Sequence, residues 1–127
     1  MEMNVYKPTE LRFTRKPVYD IIVRLGSKTL ELYQDGMLVK TYPVAVGKPS
    51  TPTPTGDFTI INKAVNPGGA FGAKWLGLSI PHYGIHGTNA PTSIGTAASH
   101  GCVRMQNPDV EELYSLVDVG TRVQIVP

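Results

Sequence analysis

The chain has 127 residues, of which 41% are hydrophobic and only 17% charged, and its formal net charge is +2. That length suits one domain around one core, and so small a charge, with no Lys/Arg run, argues against nucleic-acid binding. No apolar run is long enough to span a membrane, and 13 glycines with 11 prolines favour short strands and turns over long helices.

Residues 1–18 read as a polar arm carrying Lys7, Arg12, Arg15 and Lys16, a loosely held terminus that leaves 19–127 as the domain proper. The opening MEMNVYKPTELRF lacks the apolar segment of a secretory signal. Three explanations stay open: residence where the chain is made, an unusual export route, or a missing leader. Ordered pattern begins near Tyr19. DIIVRLG and KTLELYQDGMLVKTYPVAVG are rich in alternating and β-branched apolar residues. Asp35-Gly36 between LELY and LVKTY is a short hairpin signal, so three strands are expected over 20–46. KPSTPTPTG, at 48–56, reads as a turn-rich strand connection whose prolines preset the backbone. DFTIINK reads as a further strand. NPGGAFGAK is a Gly-rich loop, but neither Gly-Lys-Ser/Thr nor a helix pattern follows it, so it is no phosphate cradle. WLGLSI and YGIH read as two more short strands, with Trp75 and Leu76 in the core.

One helix is expected, with Asn107 as N-cap, Pro108 in the first turn, and Asp109 and Glu111 at the positive end. Val110, Leu113, Tyr114 and Val117 share one face, and Gly120 can end it. TRVQIV then alternates as a closing strand. The sum is a mostly-β fold: a sandwich or barrel of about seven or eight strands with one helix packed on it near the C-terminus.

The single cysteine, Cys102, cannot form an intramolecular disulfide, so it says nothing about redox compartment. It lies in ASHGCVRM, at 98–105, inside a stretch with no Asp or Glu from Asp57 to Asp109. That stretch holds Lys63, Lys74, Arg104 and all three histidines. A thiol is ionised by nearby positive charge or hydrogen-bond donors, and a lack of carboxylates suits such a site and a substrate that carries carboxylates.

A reactive thiol needs a base within hydrogen-bond reach. His82 and His86 are four apart, but Pro81, Gly84 and Gly87 oppose a helix, and in an extended segment that spacing is ~13 Å, too far for a shared metal. A zinc site of His86, His100 and Cys102 has three protein ligands but no acidic ligand or second cysteine behind it. His100 lies two residues from Cys102, and in extended backbone the two side chains run parallel, ~6–7 Å apart at the α-carbons. Gly101 could bend the chain and change that. His86, from a separate segment, could face the sulfur directly. The residues alone leave the choice of base open. No carboxylate neighbours either histidine, so a backbone carbonyl, which Gly87 is placed to offer, or a distant acid such as Asp57 would fix the tautomer. The amides of Gly101 and Cys102 could form an oxyanion hole.

These residues resemble the L,D-transpeptidase catalytic domain family. The likeness rests on GIHGT at 84–88 followed by SHGCVRM at 99–105. The family pattern is a histidine, a spacer, then Ser/Thr-His-Gly-Cys, a hydrophobic residue and often Asn. LELYQDGMLVKTYPVAVGK, TPTPTGDFTI and FGAKWLGL resemble its opening strands, its loop and the segment before its active site, so the likeness covers residues 19–127. The spacer here is short, and Arg104 replaces the common Asn, either as a structural residue or as a grip on a substrate carboxylate.

The resemblance implies a β-rich cysteine acyltransferase with Cys102 as nucleophile, ionised and accessible, and His86 as general base. Gly87 supplies the orienting carbonyl, and Ser99, His100 and Gly101 shape the pocket and oxyanion hole, with Arg104 in the same pocket; Tyr83, beside GIHG, either lines the pocket or has a packing role. The substrates implied are peptidoglycan stem peptides, cross-linked between diaminopimelate residues through a thioester with release of D-alanine. No metal or cofactor is implied. Carbapenem-type β-lactams would acylate the thiol. The cell wall, outside the cytoplasm, or the spore coat is the expected location, and a monomer is favoured. The alternatives are an L,D-carboxypeptidase, with water as acceptor, and a non-catalytic peptidoglycan-binding module. A sortase is disfavoured, because its TLxTC-like segment is absent.

Overall fold

Alternating apolar residues draw the chain into strands whose inner faces meet in one core. The structure, a computed structural model, describes residues 16–127. Most of the expected polar arm, residues 1–15, lies outside the described residues. The strands are β1 (Tyr19–Arg24), β2 (Thr29–Gln34), β3 (Met37–Gly47), β4 (Gly56–Val65), β5 (Lys74–Leu78), β6 (Gly84–His86), β7 (Ala97–Ser99), β8 (Val103–Met105) and β9 (Arg122–Val126). Helix α1 (Asn107–Leu116) connects β8 to β9, and short 3₁₀ turns occupy Gly69–Phe71 and Pro91–Ser93.

Hydrogen bonding runs β2-β1-β9-β4-β5-β6-β8-β3-β7, and β2 also pairs with β3, which closes eight strands into a barrel. Two strands change partners partway. Met37–Pro43 of β3 pair with β2, whereas Val44 and Ala45 pair with β8. Gly56–Thr59 of β4 pair with β9, and its remainder pairs with β5. The β2–β3 hairpin turns at Asp35 (φ 51°) and Gly36 (φ 84°), both left-handed as a type I′ turn requires. The expected three strands over 20–46 are present, and β9 joins the sheet parallel to β1.

The core follows the period of two. Ile21 and Val23, Leu30 and Leu32, Tyr42 and Val44, and Val123 and Ile125 are buried. On the β5-β6-β8 side, Leu76, Ile85 and Val103 point inward and are buried. Their chain neighbours Trp75, His86 and Arg104 are therefore presented on the outer face, as successive register partners across three strands. The expectation that Trp75 shares the core with Leu76 is thus corrected: adjacent strand residues face opposite ways, and Trp75 is half-buried outside the barrel.

Helix α1 packs against β5 and β6 through Val110 and Leu113, with Val117 buried just beyond its end. Two details of the helix differ from expectation. Gln106, not Asn107, is the N-cap, because the Asn107 side chain bonds elsewhere, and the helix stops at Leu116, before Gly120. No basic residue lies in its last turn; Lys63 of β4 supplies the charge instead, donating to the carbonyls of Tyr114 and Val117 at 2.8 Å each.

Candidate active site

The segment 99–102 leaves β7 in a tight turn that presents Cys102. Ser99, 1% exposed, organises it: its hydroxyl donates to the Cys102 carbonyl at 2.6 Å and accepts from the Gly101 amide at 3.1 Å. The Gly101 amide is thereby engaged by the Ser99 hydroxyl in the resting site. Gly101 has φ +121°, a conformation L side chains rarely adopt, and an added β-carbon would meet Tyr83 Cε1 at 2.6 Å. Tyr83 therefore supports the turn from below; the cavity beside Cys102 is lined by Ala70, Phe71, His82, His86, Ser99, His100, Cys102 and Arg104.

The structure gathers all three histidines and the thiol around this one cavity of about 270 Å³. They differ in how they are held. His100 is exposed at the rim. His86 is 4% exposed, stacked on Trp75 with ring centroids 5.7 Å apart and met edge-on by Phe71 at 5.0 Å. Its Nδ1 lies 2.5 Å from the Gly87 carbonyl. A carbonyl only accepts, so Nδ1 carries the proton and the neutral ring keeps Nε2 as its acceptor. His82, at φ 73°, accepts the Cys102 thiol on its backbone carbonyl at 3.7 Å.

The electrostatics differ from the expected ionised sulfur. Burial pushes the Cys102 thiol up from its ordinary 9.0, outweighing a backbone hydrogen bond from Gly84 and the charge of Arg104, which both pull it down. Burial lowers His86 below its ordinary 6.5; the bond to Gly87 opposes this, and the Arg104 charge adds to it. Both shifts favour the uncharged form. At rest the site therefore favours a neutral thiol and a neutral imidazole, and Cys102 is half-buried. Among the described residues, no group of three or more His, Cys, Asp or Glu is placed to hold a metal ion.

Several residues that shape the site were not singled out from the sequence. The connection after β3 does more than join strands. Thr53, 6% exposed, accepts from the Gly47 amide at 2.9 Å and donates to the Gly101 carbonyl at 2.7 Å. Thr51 donates to the Ser99 carbonyl at 3.0 Å. Asn107 joins two other loops: Oδ1 accepts from the amides of Ala73 (3.1 Å) and Thr88 (3.0 Å), and Nδ2 donates to the Thr88 carbonyl at 3.0 Å. Those loops carry Phe71 and Gly87. An added β-carbon at Gly72 or at Gly87 would strike Asn107 Oδ1, so both glycines are required by close approach. The alternation of Thr and Pro at 51–54 and the lone aromatic in the Gly-rich loop were the sequence signals available for these contacts.

A β-barrel with a cysteine and a carbonyl-bound histidine on its outer face defines the class, and comparison supplies the family. The chain belongs to the L,D-transpeptidase catalytic domain (YkuD) family, whose model matches residues 18–125. It is 62% identical over 109 residues to YkuD of Bacillus licheniformis, a protein named for the L,D-transpeptidases. That match takes in 86% of this chain and 66% of the relative, so the chain spans just under two thirds of the relative's length. The solved catalytic domain of the Enterococcus faecium L,D-transpeptidase is similar at 27% identity and a TM-score of 0.75, over 85% of this chain and 96% of that one. L,D-transpeptidase 3 of Mycobacterium tuberculosis, solved with a faropenem-derived adduct, shares the fold at 20% identity and a TM-score of 0.78, over 87% of this chain and 61% of that one.

Proposed function

We propose that this domain is an L,D-transpeptidase acting on peptidoglycan stem peptides outside the cytoplasm, with Cys102 as nucleophile and His86 as its base. The observation that carries this reading is the pairing in one cavity of Cys102 with a histidine whose Nδ1–H is fixed on Gly87. Because both groups rest neutral, attack and proton transfer go together: the thiol proton passes to His86 Nε2 as sulfur bonds to the diaminopimelate carbonyl. We assign the Cys102 amide to the developing oxyanion, because the Gly101 amide is already held by Ser99. Collapse breaks the peptide bond, His86 returns the proton to the departing D-alanine nitrogen, and a thioester remains. The amine of a second stem then attacks the thioester and completes the cross-link; water in its place gives an L,D-carboxypeptidase. No cofactor takes part.

The β-lactam adduct of the Mycobacterium tuberculosis fold relative suggests the test. Incubation with a carbapenem should add one inhibitor mass to the wild-type protein and none to Cys102→Ala. His86→Ala should slow acylation by about 10²–10⁴-fold, the usual worth of a general base. His100→Ala, at the exposed rim, should be milder. Acylated Cys102→Ala would overturn the assignment of the nucleophile, and an active His86→Ala beside a dead His100→Ala would reverse the histidines.

A further inference from the structure

Arg104 brings to the cavity a charge with no carboxylate partner among the described residues. Register on β8 sets it beside His86 on the outer face. Its Nη1 donates to Ser93 Oγ at 3.0 Å, while its Nε is buried with no hydrogen-bond partner. Among the described residues, the ion pairs all involve other basic groups, and no carboxylate reaches Arg104. The chain also offers none between Asp57 and Asp109. A buried N–H left unmet is costly, and a guanidinium fork fits a planar carboxylate better than any other common group.

We propose that Arg104, steadied by Ser93, anchors the free C-terminal carboxylate of the residue that leaves. This deepens the function proposed above and rests on it. The geometry follows from the reaction. His86 must reach the nitrogen of the departing residue to protonate it. The α-carboxylate of that residue is one carbon away from that nitrogen. Arg104 is the register neighbour of His86 on the same face and lines the same cavity as Cys102. Ser93 holds the guanidinium at Nη1, and docking a carboxylate on the buried Nε edge requires that side of the fork to turn toward the cavity. Arg104 is thus a specificity residue that touches the donor, and it forms no bond in the chemistry.

The experiment measures binding without turnover. In a Cys102→Ala background, a stem tetrapeptide and the same peptide amidated at its C-terminus are titrated by NMR or calorimetry. The acid should bind about 10- to 100-fold more tightly, the scale of a hydrogen bond to a charged group. Adding Arg104→Gln should bring that ratio close to one while the amide's affinity holds. Arg104→Lys, which keeps the charge but loses the fork, should leave an intermediate ratio and serves if the Gln variant melts. In the Cys102-intact protein, Arg104→Gln should raise KM for the acid far more than it lowers kcat. Equal binding of acid and amide with Arg104 present, or an equal loss of both in the variants, overturns the anchor alone. No binding of either peptide overturns it together with the stem-peptide reading, and the carbapenem adduct on Cys102 reports on the nucleophile separately.

Discussion

At the scale of single residues, the site is governed by burial more than by charge. Burial raises the Cys102 thiol above its ordinary 9.0 and lowers His86 below its ordinary 6.5, so both shifts favour the neutral form. His86 must be neutral to take the thiol proton. The acid limb of carbapenem acylation should therefore fall below 6.5, the ordinary imidazole value. A limb at or above that value would mean that the histidine is not shielded as described. The same shifts couple to stability with definite signs. The unfolded chain protonates His86 at a higher pH than the folded one, so stability should fall as pH drops below 6.5 and level off under the folded value. For Cys102 the folded thiol stays protonated where the unfolded one ionises, so stability should fall as pH rises above 9.0. Urea midpoints across pH check both, and His86→Ala should flatten the acid side.

At the scale of elements, the site is a set of loops tied together by side chains from elsewhere. Thr53→Val keeps the shape and leaves the Gly47 amide and Gly101 carbonyl unmet, which should cost about 1–3 kcal/mol and slow acylation. Thr53→Ser should restore both, as seen in melting and adduct rate together. Asn107→Ala should loosen the loops bearing Phe71 and Gly87 by a similar amount, while Asn107→Asp retains the two acceptor bonds and should recover most of the loss. If the Asp variant is as unstable as the Ala variant, the bond to the Thr88 carbonyl is the one that matters. These ties explain what the sequence revealed and what it hid. The long strands, the Asp35-Gly36 hairpin and α1 were legible because periodicity and turn chemistry are local. β7 and β8 span three residues each, too few to show alternation, and exist as strands through pairing with β3 and β6. Asn107 reads as a cap because Asn-Pro is a local signal; its real partners are 34 and 19 residues away. The placing of Cys102, His86 and Arg104 at one cavity depends on register, which no short stretch encodes, and the resemblance to the family stood in for it.

At the scale of the molecule, the barrel's chemistry lies on strands other than its C-terminal one. β9 lies between β1 and β4, while the cavity is lined from β6, β7, β8 and the loops beside them. β9 lines no part of that cavity. It nevertheless inserts Val123 and Ile125 into the shared core, 0% and 2% exposed, and joins the first strand of the barrel to β4. Removing it would strand the inner faces of both neighbours and leave two open edges in place of a closed ring. Deleting residues 122–127 should therefore abolish the cooperative melt and, with it, carbapenem acylation at Cys102, although no deleted group comes near the sulfur. A milder form of the same argument is Val123→Ala, which should lower stability by about 1–3 kcal/mol without changing the acid limb of acylation. A truncated protein that still melts cooperatively and still forms the adduct would show that β5, β6 and β8 hold their register without the closed barrel.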